Sequence, residues 1–536
     1  MEFDYIVVGS GPTGCVLANR LSKDLTVSVL LIEAGGNDKK LEIKVPAGYG
    51  KLFYDQRVNW KFETEQIPGL DDRRDYWPKG KVLGGSSSIN AMVYIRGQKE
   101  DFDSWGEVDC EWSWDKIFRS FKKHEDNSRG ESLFHGVNGP ISVSDFASDC
   151  HKLCEPFIES CNNIGIPLNA DFNGREQEGV GTYQITTKNG TRSNAVMGYI
   201  KPITNRKNFK ILLNTLVIRV CLEKGMATGV EILQRGTQQF IKCRKEVILS
   251  AGAINTPKLL QLSGIGPREI LEKNHIPISI PLEGVGKNLQ DHVNVSLQYE
   301  TNIDSLNNEL GSPIRRLFHG FRWILTKKGP LSLSINQAGG FIRSKPNLDS
   351  PDLQLFFLPL TATETGKVGN LASVPDNFPG CSIAVSPCRP RSRGEILIRS
   401  NNPKDAPYIQ PNYFSDVADL QEMIDGVLLC RKIASTKPLS KFIIKSVGVH
   451  KDYSNDPKSI EKLIRKTAKT TYHPCGTCAM GISEKEHVVD GNLFVFGCSN
   501  LRVADSSIMP NIVSGNLVAS AYMIGERAFD IIMKSR

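Results

Sequence analysis

Apolar positions along this chain fall into short, sharply bounded runs, and their spacing predicts the elements. Residues 4–9, Asp-Tyr-Ile-Val-Val-Gly, predict a short buried strand. Gly9-Ser10-Gly11-Pro12-Thr13-Gly14 follows, and from Cys15 to Leu21 the apolar residues Val16, Leu17, Ala18 and Leu21 take helical spacing. A second buried strand runs from Val27 to Ile32 and ends at Glu33. Four β-like runs joined by short turns, 211–220, 228–233, 238–242 and 246–250, predict a meander ending in Ser250-Ala251-Gly252-Ala253. An apolar helix over 255–262 comes next. Residues 353–360 and 394–400 read as strands; 315–326, 420–434 and 517–533 read as helices. No run approaches the roughly 18 apolar residues of a spanning helix.

The first sixty residues carry a ligand signature. Strand, G-x-G-x-x-G, helix, strand and acid stand in the order of a dinucleotide site. Gly9, Gly11 and Gly14 permit a tight turn and close backbone approach to a pyrophosphate at a helix N-terminus, where free N–H groups favour negative charge. Glu33, 19 positions after Gly14, is placed to accept hydrogen bonds from a ribose diol. The motif alone does not separate NAD from FAD; its place at the start of a long chain and the meander both favour FAD. Gly84, Gly85 and Ser86, with Ser87 and Ser88, put N–H groups and small hydroxyls at a helix start suited to phosphate or flavin oxygens, and Asn90 brings a neutral amide to the same place.

Composition narrows the class. A chain of 536 residues is long for one core and predicts two domains, consecutive or interleaved. The formal net charge of +8 is spread thinly and no long basic run occurs, so nucleic-acid binding is not expected. The 13 cysteines, an odd number lying mostly in apolar contexts, fit reduced thiols better than a disulfide framework. Without a basic n-region or h-region at the start, the expected location is cytoplasmic, with peripheral membrane association left open.

Residues 471–481, Thr-Tyr-His-Pro-Cys-Gly-Thr-Cys-Ala-Met-Gly, offer three chemistries. Cys475 and Cys478 form a C-x-x-C, Pro474 to Cys478 give half of a zinc-deaminase signature, and His473 is a possible general base. A deaminase also needs an H-x-E tripeptide, which the chain lacks; His124-Glu125 has the wrong spacing. A redox pair belongs at a helix start in a small fold. The segment therefore reads as a histidine motif with small packing cysteines, and no metal site is expected.

Residues 80–97 ("GKVLGGSSSINAMVYIRG") and 252–266 ("GAINTPKLLQLSGIG"), with the N-terminal fingerprint, resemble the signature segments of the glucose–methanol–choline (GMC) oxidoreductases. The resemblance continues through "GVGKNLQDH" (284–292), "RPRSRGEILIRSNNP" (389–403) and the last seventy residues. The stretches "FHGVNGPISVSDF" (134–146) and "NADFNGREQEGVGTYQ" (169–184) look most like bacterial choline, sorbose and alcohol dehydrogenases.

The resemblance implies an α/β, FAD-binding Rossmann-like domain (1–155, 190–293 and 465–536), interleaved with an α+β substrate domain (156–189 and 294–464). The substrate domain would be an antiparallel sheet, including 353–360 and 394–400, with helices 315–326 and 420–434 packed on it. It further implies oxidation of an alcohol to an aldehyde or ketone by hydride transfer to flavin N5, with His473 as base and Asn516 as its hydrogen-bond partner. Asp505 would bond the FAD chain; Val217, Ala251 and Leu517, at the start of the last helix, are further cofactor positions.

Three comparisons refine this. Some choline-oxidising members attach FAD through a histidine where this chain has Ile89, so FAD should be non-covalent. They also carry a glutamate near the substrate ammonium where this chain has Gln337, which favours a neutral primary alcohol or polyol and leaves choline as the alternative. Cys388-Arg389-Pro390 matches the light-driven fatty-acid decarboxylase branch, but that branch lacks the His and Asn pair. The same pair argues against a decayed flavoprotein. Oxygen, a quinone or a redox partner remain open as acceptor, and monomer or homodimer as assembly.

Overall fold

A computed structural model describes residues 1–145, 149–365 and 372–535. Strands Phe209–Leu212, Val29–Ile32, Glu2–Val8, Thr237–Leu249 and Leu501–Val503 form the parallel part of a first sheet. The early half of Thr237–Leu249 also pairs antiparallel with Met226–Gln234, and that strand with Thr215–Glu223. The expected meander is present with shifted breaks. Asn214, left-handed at φ 50°, splits the first expected strand into two. The polar stretch Arg244-Lys245 stays within a single strand, because Arg244 reaches Asp4 at 2.8 Å and a bulge between Phe3 and Tyr5 absorbs the register change.

Helices Pro12–Leu21 and Val518–Lys534 pack against one another beside this sheet. Their contact is close because Gly525 faces Val16: a Cβ there would lie 2.7 Å from the valine Cβ. Strand residues Tyr5 to Val8 and Val29 to Ile32 are buried, each large aliphatic side chain contributing about 1.5–3 kcal/mol.

A second sheet is antiparallel, in the order Ile443–Val447, Val293–Thr301, Gly380–Pro387, Leu353–Leu358, Ala338–Ile342, Gly179–Thr182. Helix Val417–Ser435 covers one face. Strand Val293–Thr301 divides its residues strictly. Val293, Val295, Leu297 and Tyr299 enter the second core; Asn294, Ser296 and Gln298 face the opposite side.

Two expectations for this half are corrected. Glu395–Leu397 pairs with Tyr408–Gln410 in a separate ribbon instead of joining the sheet. Helix Pro313–Thr326 packs on Leu306–Gly311 and the turn Pro330–Ser332, burying His319 and Trp323 and leaving most of its apolar residues exposed. Phe62, Ile67, Leu70 and Trp77, from the N-terminal part of the chain, also pack into the second core. A cavity of about 560 Å³ lies between the two sheets and takes lining residues from both.

Candidate active site

At one end the cavity meets the loop before helix Pro12–Leu21. Gly9 is left-handed at φ 99°, and a Cβ there would stand 2.4 Å from the Ser250 carbonyl oxygen; one on Gly14 would stand 2.0 Å from that of Gly9. These two glycines hold the loop against the sheet. A Cβ on Gly11 would meet no protein atom nearer than 3.9 Å, so its space is open to a ligand. The first N–H groups of this helix have no intrahelical acceptors and no side-chain cap, and Pro12 at the first helical position has no N–H to satisfy.

Glu33 lines the cavity with its carboxylate braced from behind: Oε2 accepts from Ser10 N at 3.1 Å and Ser10 Oγ at 2.6 Å, and Oε1 from Gly35 N at 2.8 Å. Val217, at an irregularity in strand pairing, and Ala251 line the same end. Gly85, Ser86 and Asn90 lie along the cavity's length, with the Asn90 amide oxygen accepting from Arg192 at 2.6 Å. Gly84 stands behind them at φ 89°, its N–H donating to Ser10 Oγ.

Asp505 reaches the cavity, but its oxygens already accept from Gly252 N, Thr256 Oγ1 and Ser507 N at 2.7–2.8 Å. It ties the helix after the meander to the C-terminal segment. Asn516 and Leu517 enter the cavity just ahead of helix Val518–Lys534, whose N-terminus points the same way.

His473 and Asn516 meet there, Asn516 Nδ2 lying 3.2 Å from His473 Nε2. The tautomer follows from the partners. His292 Nε2 is 2.8 Å from the Cys388 carbonyl oxygen, which can only accept, so that nitrogen carries the hydrogen. Burial pushes His292 down to about 4, so it is neutral and its Nδ1 accepts. His473 Nδ1, 3.0 Å away, is therefore the donor. Thr471 agrees: its hydroxyl donates to the His292 carbonyl at 3.1 Å and accepts at 3.0 Å from His473 Nδ1. The free lone pair of His473 is thus on Nε2, facing Asn516. Gln354 Nε2, 3.3 Å from Asn516 Oδ1, turns the amide so that its N–H₂ meets that lone pair.

The backbone under His473 is held in a costly shape. Tyr472 is left-handed at φ 70°, which costs about 1–3 kcal/mol in a non-glycine residue. Three bonds fix it: Tyr472 N to Thr470 Oγ1 at 2.6 Å, His473 N to Asp291 Oδ1 at 2.7 Å, and Lys79 Nζ to the Tyr472 carbonyl at 2.5 Å. Burial raises Asp291 to about 6 and lowers Lys79 to about 8. Burial, then the neighbouring His292 and Lys79, hold His473 well below its ordinary value.

A family model described as GMC oxidoreductase matches residues 3–294, and its C-terminal counterpart matches 390–525. The chain belongs to the GMC oxidoreductases. An alcohol dehydrogenase (acceptor) of Pseudomonas putida is 40% identical over 537 residues, covering 99% of this chain and 96% of that protein. The mitochondrial choline dehydrogenase of Homo sapiens is 40% identical over 540 residues, covering 99% and 90%. Pyridoxine 4-oxidase from Mesorbium loti superposes with a TM-score of 0.88 at 28% identity over 98% of both chains. A formate oxidase superposes at 0.91 with 26% identity over 100% of this chain and 98% of its own.

This GMC oxidoreductase is an FAD-dependent enzyme. Its residues fit the cofactor: the open space at Gly11, the helix N-terminus beside it and the braced Glu33 would hold a dinucleotide. Ile89 lines the cavity with an aliphatic side chain that offers no nucleophile.

Gln337 stands apart from the other predicted site residues. It is 1% exposed, its amide oxygen accepts from His151 N at 2.7 Å, and it does not line the cavity. Cys388 is also buried away from the cavity, packed with Val93, Ile95 and Phe356. Cys475 and Cys478 are both free and sit in the first core, their thiols pushed up by burial.

Sequence reading missed His292, Thr471, Gln354 and Lys79. His292 ends the quoted segment "GVGKNLQDH", a signal that was present without a role attached. It also missed the sheet-side wall of Asn294, Ser296, Phe356, Leu358 and Ser382, whose period-two alternation was readable in Val293 to Tyr299.

Proposed function

We propose that this GMC oxidoreductase oxidises a neutral primary alcohol or polyol to the aldehyde or ketone, with His473 as base and Asn516 as hydrogen-bond partner. The observation that carries this is the fixed tautomer of His473, which leaves an unprotonated Nε2 at the cavity 3.2 Å from a donor amide. Bound FAD supplies the hydride acceptor.

The chain's own residues handle the proton. His473 Nε2 takes the hydroxyl proton, and its Nδ1–H stays on His292 and Thr471, so the ring does not turn. The Asn516 amide donates to the developing alkoxide without titrating. Substrate class follows from the lining. Among the described residues the carboxylates at the cavity are Glu33 and Asp505, both at the dinucleotide end and both engaged by protein donors. The sheet side offers Phe356, Leu358 and Leu360 with Ser382, Asn294 and Ser296, a mixed wall for an uncharged alcohol.

Choline is the second reading. It is favoured by the likeness to choline dehydrogenases and by the aromatic residues Tyr49, Phe53 and Tyr472 at the cavity, which suit a quaternary ammonium. Oxygen, a quinone or a redox partner would then reoxidise the enzyme. His473→Ala should slow anaerobic flavin reduction by roughly 10² or more. A wild-type rate in that variant would sink the assignment.

A further inference from the structure

The helix that failed to pack on the second sheet has a built surface. Ile314, Leu317, Phe318, Phe321, Ile324 and Leu325 are each 58–81% exposed. At 3.6 residues per turn they fall on one arc of about 120°. The opposite side is docked. Trp323 is buried with its indole N–H donating to the Gly190 carbonyl at 2.8 Å, and His319 is buried beside it. The helix is therefore held to the molecule by its back, and its apolar face is turned outward. Six large apolar side chains contiguous on one surface helix are not the scattered exposure ordinary surfaces show.

Charge selects the occupant. Arg322 flanks one side of the apolar arc and Arg316 the other, and Lys328 follows; Arg315 is paired with Asp304 at 2.9 Å, and Lys327 lies over the Trp323 ring. Residues 310–348 contain no Asp or Glu. An apolar face edged on both sides by cations is the pattern of a helix lying in a membrane interface, where the apolar side chains enter the acyl boundary and the cations meet lipid phosphates. A second copy docked by this same face would set like charges together. No helix among the described residues is long and apolar enough to cross a membrane, so attachment would be to one leaflet.

We propose that helix Pro313–Thr326 docks this enzyme onto an anionic lipid bilayer, lying in the plane of the headgroups. Ser312 caps the helix through its Oγ, so the surface is formed before it meets lipid. The turn Pro330–Ser332 connects the helix to Ile335 and Asn336, which line the cavity, and packs on Pro46–Gly48, just before the cavity residues Tyr49 and Phe53. Docking holds that rim of the cavity near lipid.

The test is flotation of the FAD-loaded full chain with vesicles of phosphatidylcholine alone or mixed equally with phosphatidylglycerol, with solution mass measured in parallel. The wild type should float with the anionic vesicles and far less with the neutral ones. Phe318→Ser/Phe321→Ser should lose at least about tenfold in lipid-bound fraction. Arg316→Glu/Arg322→Glu should lose the preference for anionic lipid. Both variants should keep their flavin, since these side chains are exposed and outside the cavity. The proposal is overturned if the wild type stays with the unbound protein, or if the double serine variant floats equally well. It is also overturned if the wild type is a dimer that the serine variant splits while neither floats.

Discussion

His473 is set by its neighbours more than by its own position in the sequence. His292 fixes which nitrogen is free, and burial lowers the pKa below the ordinary 6.5. The base form exists above that lowered pKa, so the rate of anaerobic flavin reduction should rise with pH through an acidic limb and stay flat across neutral pH. His292→Ala removes the acceptor of Nδ1–H. It should slow reduction roughly tenfold or more through lost orientation, with flavin content unchanged. An unchanged rate would mean that Thr471 alone holds the ring. At position 337 the structure reverses an expectation. Because the Gln337 amide is committed to His151 away from the cavity, Gln337→Glu should leave the preference between choline and a neutral alcohol unchanged and lower the melting temperature by placing a charge in a buried site. A gain in choline use would place this side chain at the substrate after all.

Among the elements, the glycines of the first loop divide the work. Gly14→Ala drives a Cβ to 2.0 Å from the Gly9 carbonyl and should destabilise the protein with or without flavin. Gly11→Ala meets no protein atom within 3.9 Å and has an ordinary φ of −63°, so it should spare the apoprotein's melting temperature and reduce bound flavin. Equal effects on the apoprotein would argue that Gly11 also serves packing. Legibility in the sequence followed how local the physics is. The strand–glycine–helix start was readable because each residue answers to its near neighbours. The break at Asn214 and the continuity through Arg244 were not, since a left-handed asparagine and an ion pair to Asp4 depend on strands brought in from elsewhere. Helix Pro313–Thr326 was placed correctly and docked wrongly: periodicity shows that one face is apolar, and says nothing of what covers it.

At the scale of the whole molecule, two cores meet around one cavity, the glycine loop and Glu33 coming from the first sheet and the opposing wall from the second. The family and cofactor were legible because several motifs recur in order along the whole chain. The relay through His292 and Gln354 was not, because it joins residues 292, 354, 473 and 516, which only the assembled fold brings together. With Ile89 in the cofactor segment, acid precipitation should release free FAD into the supernatant; flavin remaining with the pellet would reveal a covalent bond elsewhere. The most direct measurement is anaerobic bleaching of the bound flavin, in matched titrations with neutral primary alcohols, polyols and choline. A neutral alcohol or polyol should reduce the flavin fully and more efficiently than choline does. A flavin that stays oxidised with every alcohol, or that only choline bleaches, would contradict the account.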